Sequence, residues 1–215
     1  PELLASRAED RPPLVVPMGA HLITIGVDVQ ADRIEASVYA WGPHDECWLI
    51  YHEAMWGAPD EPGAWDGLDA LLDRVYSSED GRDRRVVSCA IDSGHRTQEV
   101  YDYVWRRQQK GDNRVIAVKG ANREDAPPIA AGSRVEVDYR GRRVPDGVQL
   151  WIVGTHANKD VLRRRFAIDT PGPGYYHLMR VPNDHDGSAT LEFCEQLLSE
   201  KKVLKRSGRA GGYRT

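Results

Sequence analysis

Two apolar runs, each interrupted or closed by an aspartate, constrain this chain most. In His21-Leu22-Ile23-Thr24-Ile25-Gly26-Val27-Asp28-Val29-Gln30, a strand turns Ile23, Ile25 and Val27 to one face and Thr24, Gly26 and Asp28 to the other. Val86-Val87-Ser88-Cys89-Ala90-Ile91 is the second run, and it ends in Asp92-Ser93-Gly94. Two strands that each carry a carboxylate to their end suggest a pair of metal-binding ligands. The small residues sharing Asp28's face leave room for whatever binds there.

The segments around these runs fix an order of elements. After the strand over 22–30, Ala31-Asp32 and Gly42-Pro43-His44-Asp45 are short turn sequences flanking strand-like 33–41 and 46–53, so an antiparallel three-strand meander is the economical reading. Trp65, Leu68, Leu71, Leu72 and Val75 recur at helical spacing over 64–76. Strand 85–91, an amphipathic helix over 98–109 and strand 114–119 then make a βαβ unit, which predicts a parallel second half of the sheet. Residues 120–147 read as a long loop with a small hairpin around Val135–Tyr139, closed by Gly141. Leu150–Val153 is a further strand, Thr155 caps a helix over 156–166, Tyr175–Met179 is strand-like, and Ser188 caps a last helix over 188–200.

Composition enters where it excludes partners and compartments. The formal net charge of -4 predicts no polyanion ligand by itself, but residues 201–215 hold six Lys or Arg and no acid. A separated basic tail is the better nucleic-acid signal. Three widely spaced cysteines with no CxxC pairing argue for a reducing compartment and against a disulfide scaffold or zinc site. No apolar run reaches the ~18–20 residues of a membrane span. Pro12-Pro13 and the charges around them make 1–20 a linker from an upstream region, 21–200 one domain and 201–215 a flexible tail. The start at Pro1 and the small, basic end suggest a piece of a longer polypeptide.

Clustered carboxylates serve phosphoryl chemistry, because Mg²⁺ prefers hard oxygen ligands and two ions ~3.5–4 Å apart clamp the attacking and leaving oxygens. A meander with an aspartate in its first strand, followed by a βαβ unit with a second, is the organisation of an RNase H-like fold. A generic α/β domain accounts for the same spacing.

Gly26-Val27-Asp28-Val29-Gln30-Ala31-Asp32-Arg33-Ile34-Glu35, Trp41-Gly42-Pro43, Ile91-Asp92-Ser93-Gly94-His95 with Val100-Tyr101, Val118-Lys119-Gly120, Gly154-Thr155 through Lys159 to Arg165-Phe166, and Pro182-Asn183-Asp184 together resemble the nuclease domain of the lambda-type large terminase subunit of tailed phages. The resemblance runs over about 21–205. It implies an α/β, RNase H-like mixed sheet flanked by helices, two Mg²⁺ or Mn²⁺ ions, and cleavage of double-stranded DNA. It also implies a terminase small subunit and a portal or prohead as partners, in the host bacterial cytoplasm. Asp28 matches the family's first metal-binding aspartate and Asp92 its second. The family's third acid lies in a helix downstream of the basic segment and has no counterpart before Thr215, so this stretch is expected to be weakly active or inactive alone. No GxxxxGK[ST] string of a motor half occurs.

Other residues carry a functional and a plainer reading side by side. Asp92 also suits a turn or helix cap. Asp184 is the best stand-in for the missing acid, though Pro-Asn-Asp is ordinary turn chemistry. Asp32 and Glu35 read as turn and solvent-face residues. Lys119, Lys159 and Arg163 are candidate contacts to the duplex backbone, which binds Lys and Arg without sequence readout. His95 and His156 read as structural, and the six tryptophans as core. A non-catalytic DNA or portal docking module of the same fold is the rival reading, and an actin-like or sugar-kinase-like ATP-binding fold is a more distant one.

Overall fold

The structure, a computed structural model, describes residues 1–137, 143–182 and 184–198. After α1 (Glu2–Ala5), the first apolar run becomes β1 (Leu22–Val29), and Ala31-Asp32 returns the chain as β2 (Arg33–Trp41). A 3₁₀ turn at Pro43–Asp45 leads to β3 (Cys47–Trp56). These three pair antiparallel, with Val29 opposite Ile34 and Arg33 opposite Trp56. Then come α2 (Asp66–Asp73), β4 (Val86–Asp92), α3 (Thr97–Gln109) and β5 (Val115–Gly120). Here β4 runs parallel to β1, with Ile91 beside Val27, and β5 runs parallel to β4, with Val118 beside Asp92. The chain continues through β6 (Ile129–Val137), β7 (Arg143–Val153), α4 (Thr155–Phe166), β8 (Tyr176–His177) and α5 (Ser188–Leu198). The described strands form one mixed sheet in the order β6-β7-β5-β4-β1-β2-β3-β8. The antiparallel meander and the parallel strands joined to it are the mixed α/β sheet expected from the sequence.

Strand alternation sorts the side chains onto two unlike faces. Ile23, Ile25, Val27, Ile34, Ala36, Val38, Cys89, Ile91, Val115 and Ala117 face α2 and α3, where Leu68, Leu71, Leu72, Val100, Tyr103 and Val104 close a continuous core. Each large aliphatic side chain buried in this way contributes roughly 1.5–3 kcal/mol. Among the described residues the other face carries a second buried cluster toward β3 and β8, where Leu4, Cys47, Leu49, Tyr176, Leu178, Phe193 and Cys194 pack together. Over Gly26 that face is open, since a Cβ built there meets no atom within 4 Å.

Several expectations need correction. Residues 120–147 are not mainly loop, because β6 and β7 pair as a long hairpin. Its register slips twice, between Ala131 and Arg134 and between Val135 and Val137, which erases the period-2 signal. At one slip the backbones crowd so closely that a Cβ on Gly147 would lie 2.0 Å from the Val135 carbonyl oxygen. The tip at Asp138–Gly141 and the tail 201–215 lie outside the described residues. Residues 1–20, expected as a linker, are packed into the fold. Leu4, Val16 and Ala20 are buried, and Arg7 donates to the carbonyls of Phe166 (2.9 Å) and Ile168 (2.7 Å). Glu9 and Glu46 flank the buried His177 ring at 2.5 and 2.9 Å. Thr155 and Ser188 are first helical residues instead of caps, and Gly154 holds the N-cap position of α4. Finally, Trp56 is exposed while Trp48 and Trp65 are buried, so the tryptophans are not all core.

Candidate active site

Asp28 and Asp92 meet at the edge where the parallel strands end. The β1–β4 register puts Val27 beside Ile91, so each chain's next residue is an aspartate on a neighbouring strand about 4.8 Å away. Both side chains lie on the open face, and both residues are exposed. Among the described residues neither forms an ion pair.

The local backbone holds each carboxylate by an uncharged donor. Asp28 Oδ2 accepts from the Gln30 side-chain amide at 3.1 Å, and the same nitrogen reaches Glu35 Oε1 at 3.4 Å. Asp92 Oδ1 accepts from the Gly94 backbone N–H at 2.9 Å. This turn is tight: a Cβ on Gly94 would stand 3.3 Å from that oxygen. Ser93 is buried and gives both its N–H and its Oγ–H to the Val118 carbonyl at 2.8 Å, which ties the end of β4 to β5. The Thr97 hydroxyl donates to the Ser93 carbonyl at 2.8 Å and starts α3. Arg96 sits between them in the left-handed region, at φ +48°, a strained conformation for a side-chain-bearing residue. Its guanidinium donates to the Ala31 carbonyl at 3.0 Å and lies 3.6 Å from Asp60 and 3.4 Å from Glu99, bridging the β4–α3 loop to the β1–β2 turn.

Glu35 is directly opposite Asp28 in the antiparallel register, on the same face. Its side chain is only 12% exposed and is held by Arg33 Nε at 2.6 Å. Glu35, expected on a solvent face, is instead largely covered beside Asp28, and Gln30 and Arg96 join the site without having been expected there. The two-residue connection Ala31-Asp32 already contains the signal for Glu35, since a tight turn there sets Asp28 opposite it. Nothing in the sequence marks Arg96. Despite the row Asp92, Asp28, Glu35, no group of three or more His, Cys, Asp or Glu side chains is placed to hold a metal ion among the described residues.

The remaining candidates fall elsewhere. Asp184 is buried and accepts from the backbone N–H groups of Ala189 (3.2 Å) and Thr190 (2.8 Å) at the start of α5. Burial alone would raise its pKa, but these bonds, with those from the Thr190 side chain and the Gly187 backbone, outweigh it and hold the carboxyl below its ordinary range. Asp184 is therefore a helix cap, and the structure does not bring it to Asp28 and Asp92. Lys119 is exposed at the site's edge of the sheet, but Val118 is the residue beside Asp92, so alternation turns Lys119 to the opposite face. Lys159 and Arg163 on α4 line a cavity of about 220 Å³ with Leu162, Phe166 and the C-terminal end of α5. Partial burial first, and Arg163 second, lower the Lys159 pKa. His95 is exposed, whereas His156 in the first turn of α4 is half-buried.

The family model of the terminase large subunit gpA endonuclease domain matches residues 1–214. The large terminase subunit of Escherichia phage lambda is 31% identical over 209 residues, covering 95% of this chain and 30% of the relative. That of Enterobacteria phage P21 is 31% identical over 194 residues, covering 88% of this chain and 28% of the relative. The chain thus spans less than a third of the length of these relatives. No solved structure matches it. With the family match running almost from end to end, the chain belongs to the endonuclease-domain family of the phage terminase large subunit gpA.

Proposed function

We propose that this chain cuts double-stranded DNA during phage genome packaging by two-metal phosphodiester hydrolysis, with Asp28 and Asp92 as metal ligands. One observation carries the reading: two exposed carboxylates on adjacent parallel strands, neither neutralised by a cation among the described residues, at an open sheet edge. Such a pair fits Mg²⁺ or Mn²⁺, which take hard oxygen donors and leave coordination positions to water and phosphate. Asp28 and Asp92 would hold the ions, whose chemistry would be to acidify a water and to neutralise charge on the leaving 3′-oxygen, with 3′-OH and 5′-phosphate ends as products.

The chain's own part is to hold these oxygens still. The Gln30 amide fixes one oxygen of Asp28, the Gly94 N–H fixes one of Asp92, and each leaves the second oxygen to a ligand. Lys159 and Arg163 on α4 supply contacts to backbone phosphates without reading bases, and Lys119, turned to the other face, is left out of that set. Partners are double-stranded DNA, the terminase small subunit and the portal or prohead, in the host bacterial cytoplasm. Among the described residues no helix is long and apolar enough to cross a membrane.

Nicking of supercoiled plasmid by the chain, and by the longer terminase polypeptide, tests the reading. Activity that needs Mg²⁺ or Mn²⁺ and disappears in Asp28→Asn and Asp92→Asn supports it. Nicking unchanged by Asp28→Asn rejects it, and salt-sensitive DNA retention indifferent to both metal and Asp28 would point to the docking module.

A further inference from the structure

Trp56 is 73% exposed, an unusual position for the largest apolar side chain in a protein whose other exposed apolar residues are scattered. It ends β3, directly opposite Arg33, and Arg33, Glu35 and Asp28 alternate onto one face, so Trp56 shares the face of the carboxylate pair. Two strand spacings across and two residues along put it about 12 Å from Asp28, or about three base-pair rises along a duplex.

The indole is held in place by polar partners that lead back to the site. The Arg33 guanidinium lies 5.2 Å from the Trp56 ring centroid. Arg33 is fixed in turn by Glu35 at 2.6 Å and Asp32 at 3.1 Å, and Glu35 shares the Gln30 amide with Asp28. The next residue, Gly57, donates its N–H to the Asp32 carbonyl at 2.9 Å, which anchors the end of β3 to the β1–β2 turn. An aromatic ring backed by a guanidinium, open on its remaining surface, suits the backbone sugar of a duplex, because every nucleotide offers an apolar deoxyribose face beside an anionic phosphate. Arg33 steadies the ring, while its own charge is balanced by Asp32 and Glu35, so this surface offers the duplex an apolar contact and adds no net positive charge.

We infer that Trp56, backed by Arg33, is a DNA-contact ledge that sets the duplex against the Asp28 and Asp92 carboxylates and fixes the cut position. The inference extends the nuclease reading to a contact residue that does not touch the reacting phosphate.

The test compares duplex binding by fluorescence anisotropy in an Asp28→Asn background, where cutting does not intervene, and maps cut positions on end-labelled duplex with Asp28 intact. Trp56→Ala is expected to weaken binding by about 5- to 100-fold and to scatter the cut positions, while Trp56→Phe retains most of the affinity. Equal affinity and an unchanged cut pattern in Trp56→Ala overturn the ledge and leave Trp56 to a protein partner. Should Trp56→Ala fail to fold, a photo-crosslinking residue at position 56 decides: a crosslink to duplex supports the ledge and none refutes it. A longer terminase polypeptide that binds duplex through Trp56 but never cuts would refute the nuclease reading alone.

Discussion

Two groups of acids sit at opposite ends of the same sheet and are treated in opposite ways. Where β4 and β5 begin, Asp69, Asp73 and Asp112 surround Arg107, at 3.1, 2.7 and 2.5 Å, and Arg114 adds a second guanidinium 2.7 Å from Asp112. Arg114 also donates to the carbonyls of Leu72 and Val86, so the cluster ties α2, α3 and the sheet together. Where the strands end, Asp28 and Asp92 have only an amide and a backbone N–H. On the proposed reading the contrast separates this structural cluster from the reactive pair. The cluster acids have their charge cancelled within the fold, whereas Asp28 and Asp92 are steadied by neutral donors that leave the charge available.

The contrast breaks if the two groups respond alike to substitution. Asp28→Asn is expected to cost the largest factor, about 10³-fold in DNA nicking, because several kcal/mol of charge stabilisation is lost. Thermal unfolding should barely change, and a comparable loss of stability would show Asp28 to be structural. Arg107→Ala should do the reverse. Its side chain is 11% exposed and its removal takes their shared guanidinium from Asp69, Asp73 and Asp112 and leaves Asp112 to Arg114 alone, so chemical denaturation should show a loss of about 2–3 kcal/mol.

Acid titration sharpens the same point. Hydrogen bonds from Arg114 first, and then from Arg107, overcome the burial that would raise the Asp112 pKa and hold it at about 2. The folded value is depressed, so the stability it contributes is present above about pH 4 and is lost as pH falls toward 2, a loss of about 1–2 kcal/mol. Asp112→Asn should flatten that limb of the stability curve, and an unchanged limb would remove Asp112 from the account. The smallest effect belongs to Asp184→Ala, which as a lost helix cap should cost about 1 kcal/mol without altering metal dependence. A changed metal requirement there would return Asp184 to the site.

How much of this the sequence shows depends on whether local pattern or distant pairing decides. Asp28 and Asp92 are legible because each follows an apolar run, and the turn at Ala31-Asp32 makes the meander legible too. The β6–β7 hairpin is hidden by its register slips and by the small residues Ala130, Ala131, Gly132 and Ser133, which carry no alternation. Residues 1–20 look like a linker because the partners that bury Leu4 and Val16 lie far along the chain. Lys119 is legible as the lysine near the end of an apolar strand, but only the register with Asp92 reveals its face. Asp184 reads as a stand-in ligand or as ordinary turn chemistry, and its capping role shows only once α5 is seen to begin four residues later.

Mn²⁺ soaked into crystals of this domain tests the central claim most directly, because its anomalous signal marks the carboxylates that take a metal. The account predicts Mn²⁺ about 2.0–2.2 Å from oxygens of both Asp28 and Asp92, and no ion at the Arg107 cluster or at Asp184. Manganese at either of those places, with none between Asp28 and Asp92, would contradict it.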